Sequence, residues 1–215
     1  MSVVGASWAV GRLTIQPAVT LATRLKVYGS DRVPLEGGCV LACNHFHWVD
    51  PPILGAASPR VVYFMAKVEA HRVPGLGSLI RSFGAFPVRR GESDREAVRT
   101  MRQIVADGGA LGVFAEGTRQ LSGEPGPVQP GAAMVAIQEG VPIVPAAIHG
   151  SQSWEPGTFR PVSLAWGMPM RFDGLPRGGR GYKEASAQLE AEIRRLWEWL
   201  VDVHRLGRPN GVPPA

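Results

Sequence analysis

The chain has 215 residues, of which 45% are hydrophobic and 19% are charged. This length is enough to bury the core of a single domain, and the composition excludes an intrinsically disordered chain. The formal net charge of +5 predicts an anionic partner or substrate, such as a membrane surface or a phosphorylated lipid. No run of five or more lysines and arginines occurs, so the composition does not favour nucleic acid as that partner.

Residues 1–28 are largely apolar, but Arg12, Pro17, Arg24 and Lys26 interrupt them. The stretch falls short of the roughly 20 apolar residues that a membrane-spanning helix needs, and it lacks the pattern of a signal peptide. We therefore predict an N-terminal amphipathic helical segment. The sequence leaves open whether these helices lie on a membrane or pack against the core.

Short apolar runs alternate with segments of helical periodicity along the rest of the chain. Strands are predicted at 39–43, 61–65, 85–88, 111–114 and 142–148, with edge strands at 162–166 and 168–172. Helices are predicted over 71–83, 132–139 and 184–203, and another follows the capping box that begins at Ser93. This alternation predicts an α/β fold with a single domain, in which helices flank a mostly parallel central sheet.

Three of the predicted strands are followed by polar or charged residues. His45 and Asp50 follow the strand 39–43, Arg89 and Arg90 follow 85–88, and residues 116–119 follow 111–114. Ligands bind at the carboxyl ends of strands in α/β folds, so these groups are expected to converge. A histidine beside a carboxylate suggests general base catalysis, and the arginines suggest an anion pocket next to it.

Pro51 and Pro52 follow this first group directly. Proline cannot continue a strand, and it disfavours helical geometry in the residue before it. We therefore expect Asp50 to lie in an extended or irregular segment.

Four blocks in a fixed order resemble a known family. They are Asn44-His45 with Asp50, Gly-Ala-Phe-Pro-Val-Arg-Arg at 84–90, Phe-Ala-Glu-Gly-Thr-Arg at 114–119, and Val-Pro-Ile-Val-Pro at 141–145. Their order and gaps are similar to those of the 1-acylglycerol-3-phosphate acyltransferase (PlsC-like) family of glycerolipid acyltransferases. The resemblance spans about residues 29–167, and 29–204 is the expected acyltransferase domain. Residues 205–215 are rich in glycine and proline and are expected to be a flexible tail.

The resemblance implies a role for each matching residue. His45 would be the general base that takes the proton of the acceptor hydroxyl, and Asp50 would orient it. Arg90 and Arg119 would bind the acceptor phosphate. The remaining matching residues, which would shape the acceptor pocket, are Glu116, Gly117 and Thr118.

The resemblance also implies substrates and a location. The acyl donor would be acyl-CoA or acyl-carrier protein, and no metal or other cofactor would be needed. The acceptor would be a lysophospholipid, most simply 1-acyl-sn-glycerol 3-phosphate, which would give phosphatidate in phospholipid biosynthesis. The protein would lie at the cytoplasmic face of an anionic membrane as a peripheral or monotopic protein.

Three positions depart from the family pattern. His47 stands where a small polar residue is common, and Ala115 replaces a common proline. Val-Gln-Pro-Gly at 128–131 replaces a frequent Phe-Lys-x-Gly, so a basic residue is missing. These departures leave the acceptor open, and a different lysolipid or another lipid alcohol remains an alternative.

Three other classes of protein share single features with this sequence. His45, His47 and Asp50 are similar to an H-x-H-x-D-H zinc motif of metal-dependent hydrolases, but the carboxylate is displaced by one residue and no further ligand follows. A serine hydrolase is disfavoured because the chain has no G-x-S-x-G sequence. A non-catalytic lipid-binding protein with the same fold remains possible. His71, His149 and His204 are expected to be isolated structural or surface residues.

Overall fold

A computed structural model describes residues 3–88 and 95–215 of the chain. Arg89, Arg90, Ser93 and Asp94 lie outside these residues. The helices within the described residues are α1 (Val3–Leu13), α2 (Ile15–Ala22), α3 (Asp50–Ala57), α4 (Val68–Arg72), α5 (Leu76–Ser82), α6 (Arg95–Ala106), α7 (Gly131–Glu139) and α8 (Gly179–Arg205). The strands are β1 (Lys26–Tyr28), β2 (Cys39–Cys43), β3 (Val62–Lys67), β4 (Ala85–Val88), β5 (Ala110–Phe114), β6 (Ile143–His149) and β7 (Ser163–Trp166).

The strands of the described residues form one sheet in the order β1-β7-β6-β2-β5-β3-β4. The five strands from β6 to β4 in this order are parallel to one another. The strand β7 is antiparallel to β6, and β1 is parallel to β7. The prediction of an α/β fold with a mostly parallel sheet is confirmed. The carboxyl ends of β6, β2 and β5 lie side by side at one edge, hereafter the carboxyl edge.

The strand β2 lies at the centre of the sheet and is buried on both faces. Its five residues have no exposed surface, as expected for an uninterrupted apolar run in a parallel sheet. Leu41 and Cys43 pack towards α1 and α3, whereas Val40 and Ala42 pack towards α6, α7 and α8. Two apolar layers therefore hold β2 rigidly beneath the segment that follows it.

The N-terminal helices pack on the core and also leave apolar side chains exposed. Trp8 of α1 is buried, and its indole Nε1 donates to the carbonyl oxygen of Phe83 at 3.0 Å. Val10, Leu13 and Leu21 of the same segment are exposed. No helix within the described residues is long and apolar enough to cross a membrane.

Two predicted elements differ from the observed ones. The helix expected over 71–83 is divided into α4 and α5, because Val73 precedes Pro74 and adopts an extended conformation, and Gly75 then has a φ of +77°. The edge strand expected at 168–172 is reduced to a single bridge between Ile143 and Met170. Neither difference reaches the carboxyl edge near β2.

The C-terminal segment, for which a flexible tail is predicted, is in contact with side chains of β1 and of the turn that follows it. The guanidinium group of Arg32 donates to the carbonyl oxygens of Trp166, Pro213 and Pro214 at 3.2, 2.7 and 2.8 Å. Tyr28 of β1 donates its hydroxyl to the carbonyl oxygen of Pro209 at 3.1 Å. These bonds hold the segment against the edge of the sheet that β1 forms.

Replacement of Arg32 tests this attachment. Arg32→Ala leaves three carbonyl oxygens without their charged donor, and the net contribution of one such bond is about 1.5–3 kcal/mol. The three oxygens are only partly buried, so water can replace most of the lost donors. We expect the free energy of unfolding in urea to fall by about 2 kcal/mol. Arg205→Ala is the matched control. Arg205 pairs with the exposed Asp202 and with no other acidic side chain of residues 3–88 and 95–215, so its replacement should change stability by less than about 0.5 kcal/mol. Equal stabilities of the two variants would contradict the prediction.

Candidate active site

Asp50 is the first residue of a helix, contrary to the expectation of an irregular segment. Helix α3 begins at Asp50, with Pro51 and Pro52 in its first turn. Proline is tolerated there because the first amide groups of a helix have no intrahelical acceptor. The two prolines therefore start a helix at the carboxyl edge, and the side chain of Asp50 is completely buried beneath the preceding loop.

One oxygen of Asp50 organises that loop. Oδ2 accepts hydrogen bonds from Nδ1 of His45 at 2.9 Å and from the backbone N–H groups of Phe46 and His47, both at 2.7 Å. The other oxygen, Oδ1, has no hydrogen-bond partner among the described residues. The carboxylate thus fixes both the imidazole ring and the backbone that carries it.

The ring of His45 is held in an orientation suited to a base. A carboxylate only accepts hydrogen bonds, so Nδ1 carries the proton in this pair and Nε2 is left with a free lone pair. The ring also stacks on Phe114 of β5, with ring centroids 4.1 Å apart and an interplanar angle of 23°. Within the described part of the chain, Nε2 forms no hydrogen bond.

Asn44 ties the same segment to the neighbouring strand. Its side chain donates from Nδ2 to the carbonyl oxygen of Ile148 at 3.0 Å, and its Oδ1 accepts the N–H of Ile148 at 2.8 Å. The completely buried amide therefore takes the place of a backbone group just beyond the end of β2. The sequence places Asn44 beside His45, but it does not reveal these two hydrogen bonds, because they depend on the pairing of β2 with β6.

Glu116 supplies a second buried carboxylate. Oε2 accepts the N–H of His45 at 2.8 Å, and Oε1 accepts the N–H of Gly126 at 2.9 Å. Burial raises the pKa of Glu116 to about 7, although the two amide bonds oppose that shift. Glu116 is predicted to shape the acceptor pocket, and in the structure it joins the loop that carries His45 to residues 120–130.

Gly117, Thr118 and Arg119 form an exposed turn next to this carboxylate. Gly117 has a φ of +71°, a conformation that favours glycine, and its N–H donates to the carbonyl oxygen of Phe114 at 3.0 Å. The N–H of Gln120 then donates to the carbonyl oxygen of His45 at 2.7 Å. The turn therefore presents Arg119 beside the loop that carries His45. The predicted phosphate ligand Arg90 lies outside the described residues.

His47 belongs to an aromatic cluster that it forms with Trp48 and Trp154. Its ring lies 5.5 Å from that of Trp48 and 5.9 Å from that of Trp154, measured between centroids. Burial lowers the pKa of His47, Asp50 opposes this shift, and Arg119 adds to it. The charge of Arg119 therefore acts on His47. The bond from Gln120 to His45 brings the turn 117–119 against the loop 44–49, and we call the surface between this turn and this loop the opening.

The zinc reading of His45 and His47 finds no support in this geometry. Nδ1 of His45 is engaged by Asp50, and Nδ1 of His47 faces the N–H of Val49 at 3.4 Å. In residues 3–88 and 95–215, no three side chains of histidine, cysteine, aspartate or glutamate form a group that could hold a metal ion.

Two histidines that were expected to be isolated lie together. The rings of His149 and His204 are 4.6 Å apart between centroids and nearly perpendicular, and Nε2 of His204 lies 2.9 Å from Oγ of Ser163. Burial lowers the pKa of both, that of His204 to about 4. The two histidines are far apart in the sequence, so no local pattern predicts this contact. It joins α8 to β6 and does not involve His45.

The arrangement around His45 is suited to one kind of chemistry. Its imidazole is oriented by a buried carboxylate, its backbone is held by a second, and the exposed Arg119 lies at the opening. Such a histidine can take a proton from a hydroxyl group near neutral pH, while the arginine can bind an anionic part of the same molecule.

Comparisons with known proteins agree with this chemistry. The family model described as Acyltransferase matches residues 24–149. The chain is 34% identical over 136 residues to the 1-acyl-sn-glycerol-3-phosphate acyltransferase of Bacillus subtilis, which covers 63% of this chain and 67% of that protein. It is 31% identical over 140 residues to the lyso-ornithine lipid O-acyltransferase of Pseudomonas aeruginosa, which covers 64% of this chain and about half of that protein, 53%.

A solved structure shares the fold. The crystal structure of the 1-acyl-sn-glycerophosphate acyltransferase from Thermotoga maritima matches with a TM-score of 0.72 and 24% sequence identity. The match covers 95% of this chain and 81% of the other. The arrangement of sheet and helices described above is therefore one that a solved structure also has.

Glu116→Gln tests the second carboxylate through the pH dependence of stability. The pKa of Glu116 is raised in the folded protein, so its contribution is fully present below the unfolded value of 4.5 and is lost as the pH rises through about 7. A glutamine cannot titrate, and its single oxygen can accept only one of the two N–H groups. We therefore expect the stability difference between the unsubstituted protein and this variant, measured in urea, to shrink from pH 4.5 to pH 8.

Glu124→Gln is the matched control for this experiment. Glu124 is exposed in the loop that Glu116 holds, so its replacement should leave the pH profile of stability close to that of the unsubstituted protein. A Glu116→Gln profile parallel to that of the unsubstituted protein across the same pH range would show that Glu116 does not titrate as described.

Proposed function

This chain belongs to the acyltransferase family, whose model covers more than half of it, and on that basis we propose that it acylates the free hydroxyl group of a lysophospholipid. The acceptor we propose is 1-acyl-sn-glycerol 3-phosphate, and the product is phosphatidate. The name of the Bacillus relative supports this acceptor. The observation that carries the proposal is the hydrogen bond between Nδ1 of His45 and Oδ2 of Asp50, which leaves Nε2 free to act as a base.

The proposed reaction starts with proton transfer to His45. Nε2 removes the proton of the acceptor hydroxyl as its oxygen attacks the carbonyl carbon of the acyl thioester. Asp50 stabilises the imidazolium ion that forms, and it keeps the ring in place through Nδ1. When the tetrahedral intermediate collapses, the C–S bond breaks and the thiolate takes the proton from Nε2. The base is thereby restored for the next cycle.

The remaining residues are assigned to the acceptor and to its surroundings. Arg119 is exposed at the opening and is proposed to bind the acceptor phosphate together with Arg90. Gly117 and Thr118 shape the turn that positions Arg119. Glu116 is buried and bound to backbone amides, so we assign it to the positioning of His45 and of the neighbouring loop.

The donor is proposed to be acyl-CoA or acyl-carrier protein, at an anionic membrane surface that holds the acceptor. We include no metal or other cofactor, because transfer from a thioester to a hydroxyl group needs only proton transfer and stabilisation of charge. We place the protein at the cytoplasmic face of the membrane as a peripheral or monotopic protein. The net charge of +5 and the exposed apolar residues of α1 and α2 support this location.

A second acceptor class follows from two residues of the chain. Gln129 stands where a basic residue is frequent, and His47 is a bulky side chain at the opening. A lysolipid without a phosphomonoester is therefore the second candidate. The Pseudomonas relative, which is named for lyso-ornithine lipid, supports it. A panel of lysolipid acceptors with one acyl-CoA donor, monitored by thiol release and product lipid, distinguishes the two.

Substitution of the proposed base tests the mechanism. We expect His45→Ala to lower kcat by about 10²–10⁴-fold, since no other group would accept the hydroxyl proton. Asp50→Asn should lower kcat by a similar factor, because it favours the wrong imidazole tautomer. His71→Ala on α4 is the control histidine and should retain activity. Turnover by His45→Ala at the rate of the control would refute the assigned role.

Substitution of the two arginines tests the phosphate site. Arg90→Ala and Arg119→Ala should each raise the acceptor KM by about 10–100-fold, the value of one charge-assisted hydrogen bond, and leave the donor KM nearly unchanged. The effect should vanish with monoacylglycerol as the acceptor, which has no phosphate. Arg99→Ala on the exposed face of α6 is the control. An equal rise in KM for donor and acceptor would remove the phosphate role.

A further inference from the structure

Each of three loops at the carboxyl edge exposes one large apolar side chain. Trp48 in the loop after β2 is 55% exposed, Leu121 in the loop after β5 is 95% exposed, and Phe159 in the loop after β6 is 51% exposed. These strands are adjacent in the order β6-β2-β5, so the three loops follow neighbouring strand ends. Single exposed apolar residues are common, but three on adjacent loops around one opening need an explanation.

The three loops contact one another. Trp48 packs against Trp154 of the β6 loop with ring centroids 5.8 Å apart. Gly123 of the β5 loop lies against Gln152, so that a β-carbon there would be 3.6 Å from the side chain. Together with the bond from Gln120 to His45, these contacts make one surface around the candidate site. We call Trp48, Leu121 and Phe159 the rim surface.

The protein holds the loops of the rim surface in place. The β6 loop is anchored by Nε1 of Trp154, which donates to the carbonyl oxygen of Ala22 at 3.0 Å. The β5 loop is anchored by Glu116 and by Arg194, whose guanidinium group donates to the carbonyl oxygen of Pro125 at 2.8 Å. Phe159 itself has a φ of +49°, which costs energy in a residue other than glycine. The exposed side chains of Leu121 and Phe159 therefore lie on loops whose backbones are fixed by hydrogen bonds to the rest of the domain.

The charges around the rim surface fit an anionic surface. Arg119 and Arg160 are exposed beside it, and Glu124 and Glu155 balance them. The adjoining end of α2, which Trp154 contacts through Ala22, adds exposed Arg24, and residues 1–28 contain no aspartate or glutamate. The three arginines outnumber the two glutamates by one. The edge thus combines protruding apolar side chains with a small excess of positive charge, a combination that favours binding to a lipid surface that contains anionic headgroups.

We propose that the rim surface inserts into the headgroup region of a lipid bilayer and seats the opening at His45 on it. Tryptophan, leucine and phenylalanine are typical of such contacts, since they bury apolar area at the interface. This inference rests on the proposed function to the extent that the acceptor is a membrane lipid. A lysolipid can then pass from the bilayer to Nε2 of His45 without leaving the interface. The contact adds to that of the exposed apolar residues of α1 and α2, which the proposed function places at the same membrane.

The test removes apolar area from the rim without touching residues proposed for catalysis. Leu121→Ser with Phe159→Ser is compared with the control pair Leu35→Ser and Val212→Ser in the full chain. The control residues are 70% and 79% exposed and lie at the opposite end of the sheet, before β2 and beside the residues that bind Arg32. Partition of each protein onto vesicles is measured by flotation. The vesicles contain phosphatidylcholine and phosphatidylglycerol, with about one quarter of the lipid anionic.

We expect the rim variant to partition roughly tenfold more weakly than the unsubstituted protein, and the control pair to partition equally with it. Acyl transfer to a short-chain, water-soluble acceptor should be the same in all three proteins, while transfer to acceptor in vesicles should fall only in the rim variant. A partition difference without any acyl transfer in the unsubstituted protein would support the rim contact and reject the proposed function.

Three results would overturn the inference. One is the absence of vesicle binding by the unsubstituted protein, and another is equal partition of the rim variant and the control pair. The third is unchanged vesicle binding with a loss of rate only when acyl-carrier protein is the donor for a soluble acceptor. That last result would assign the rim surface to a protein partner.

Discussion

The candidate site depends on one oxygen atom, Oδ2 of Asp50, which accepts three N–H groups of the loop that precedes it. A completely buried carboxylate is costly unless such donors surround it. The donors can converge on it only because helix α3 starts at Asp50 and turns its side chain back under the loop. The position of the His45 ring and the course of its backbone therefore follow from the same interaction, and neither can change alone.

A second carboxylate makes this arrangement continuous with the rest of the carboxyl edge. Glu116 accepts the N–H of His45, while Asp50 binds its ring, so the histidine is held between two acidic groups from different segments. Burial raises the pKa of Glu116, and the charge of Asp50 raises it further. Burial and the same two acids also raise the pKa of the Cys43 thiol, which therefore stays protonated and inert beneath the site. Cys43 is therefore not a second reactive group at the candidate site.

Much of this structure could be predicted from the sequence, and the failures have physical causes. The buried strands and the amphipathic α6 follow from local periodicity, and His45, Asp50 and Arg119 follow from their position after strands. The sequence does not predict helix α3, because Pro51 and Pro52 are expected to end regular structure, whereas proline is also well suited to the first turn of a helix. The role of Glu116 and the contact of His149 with His204 depend on long-range packing, which no local pattern encodes.

The attachment of the C-terminal segment to β1 sets the order in which the fold can be completed. The bonds from Tyr28 and Arg32 to this segment join residues 181 and 182 positions apart, and β1 pairs only with β7 among the described strands. On a ribosome, the first strand would wait for almost the whole chain to emerge before its partners exist. Contacts between residues so far apart in the sequence form slowly, and apolar surface stays exposed until they have formed. The strand β1 would therefore keep its backbone N–H and C=O groups unpaired until β7 and the C-terminal segment are in place.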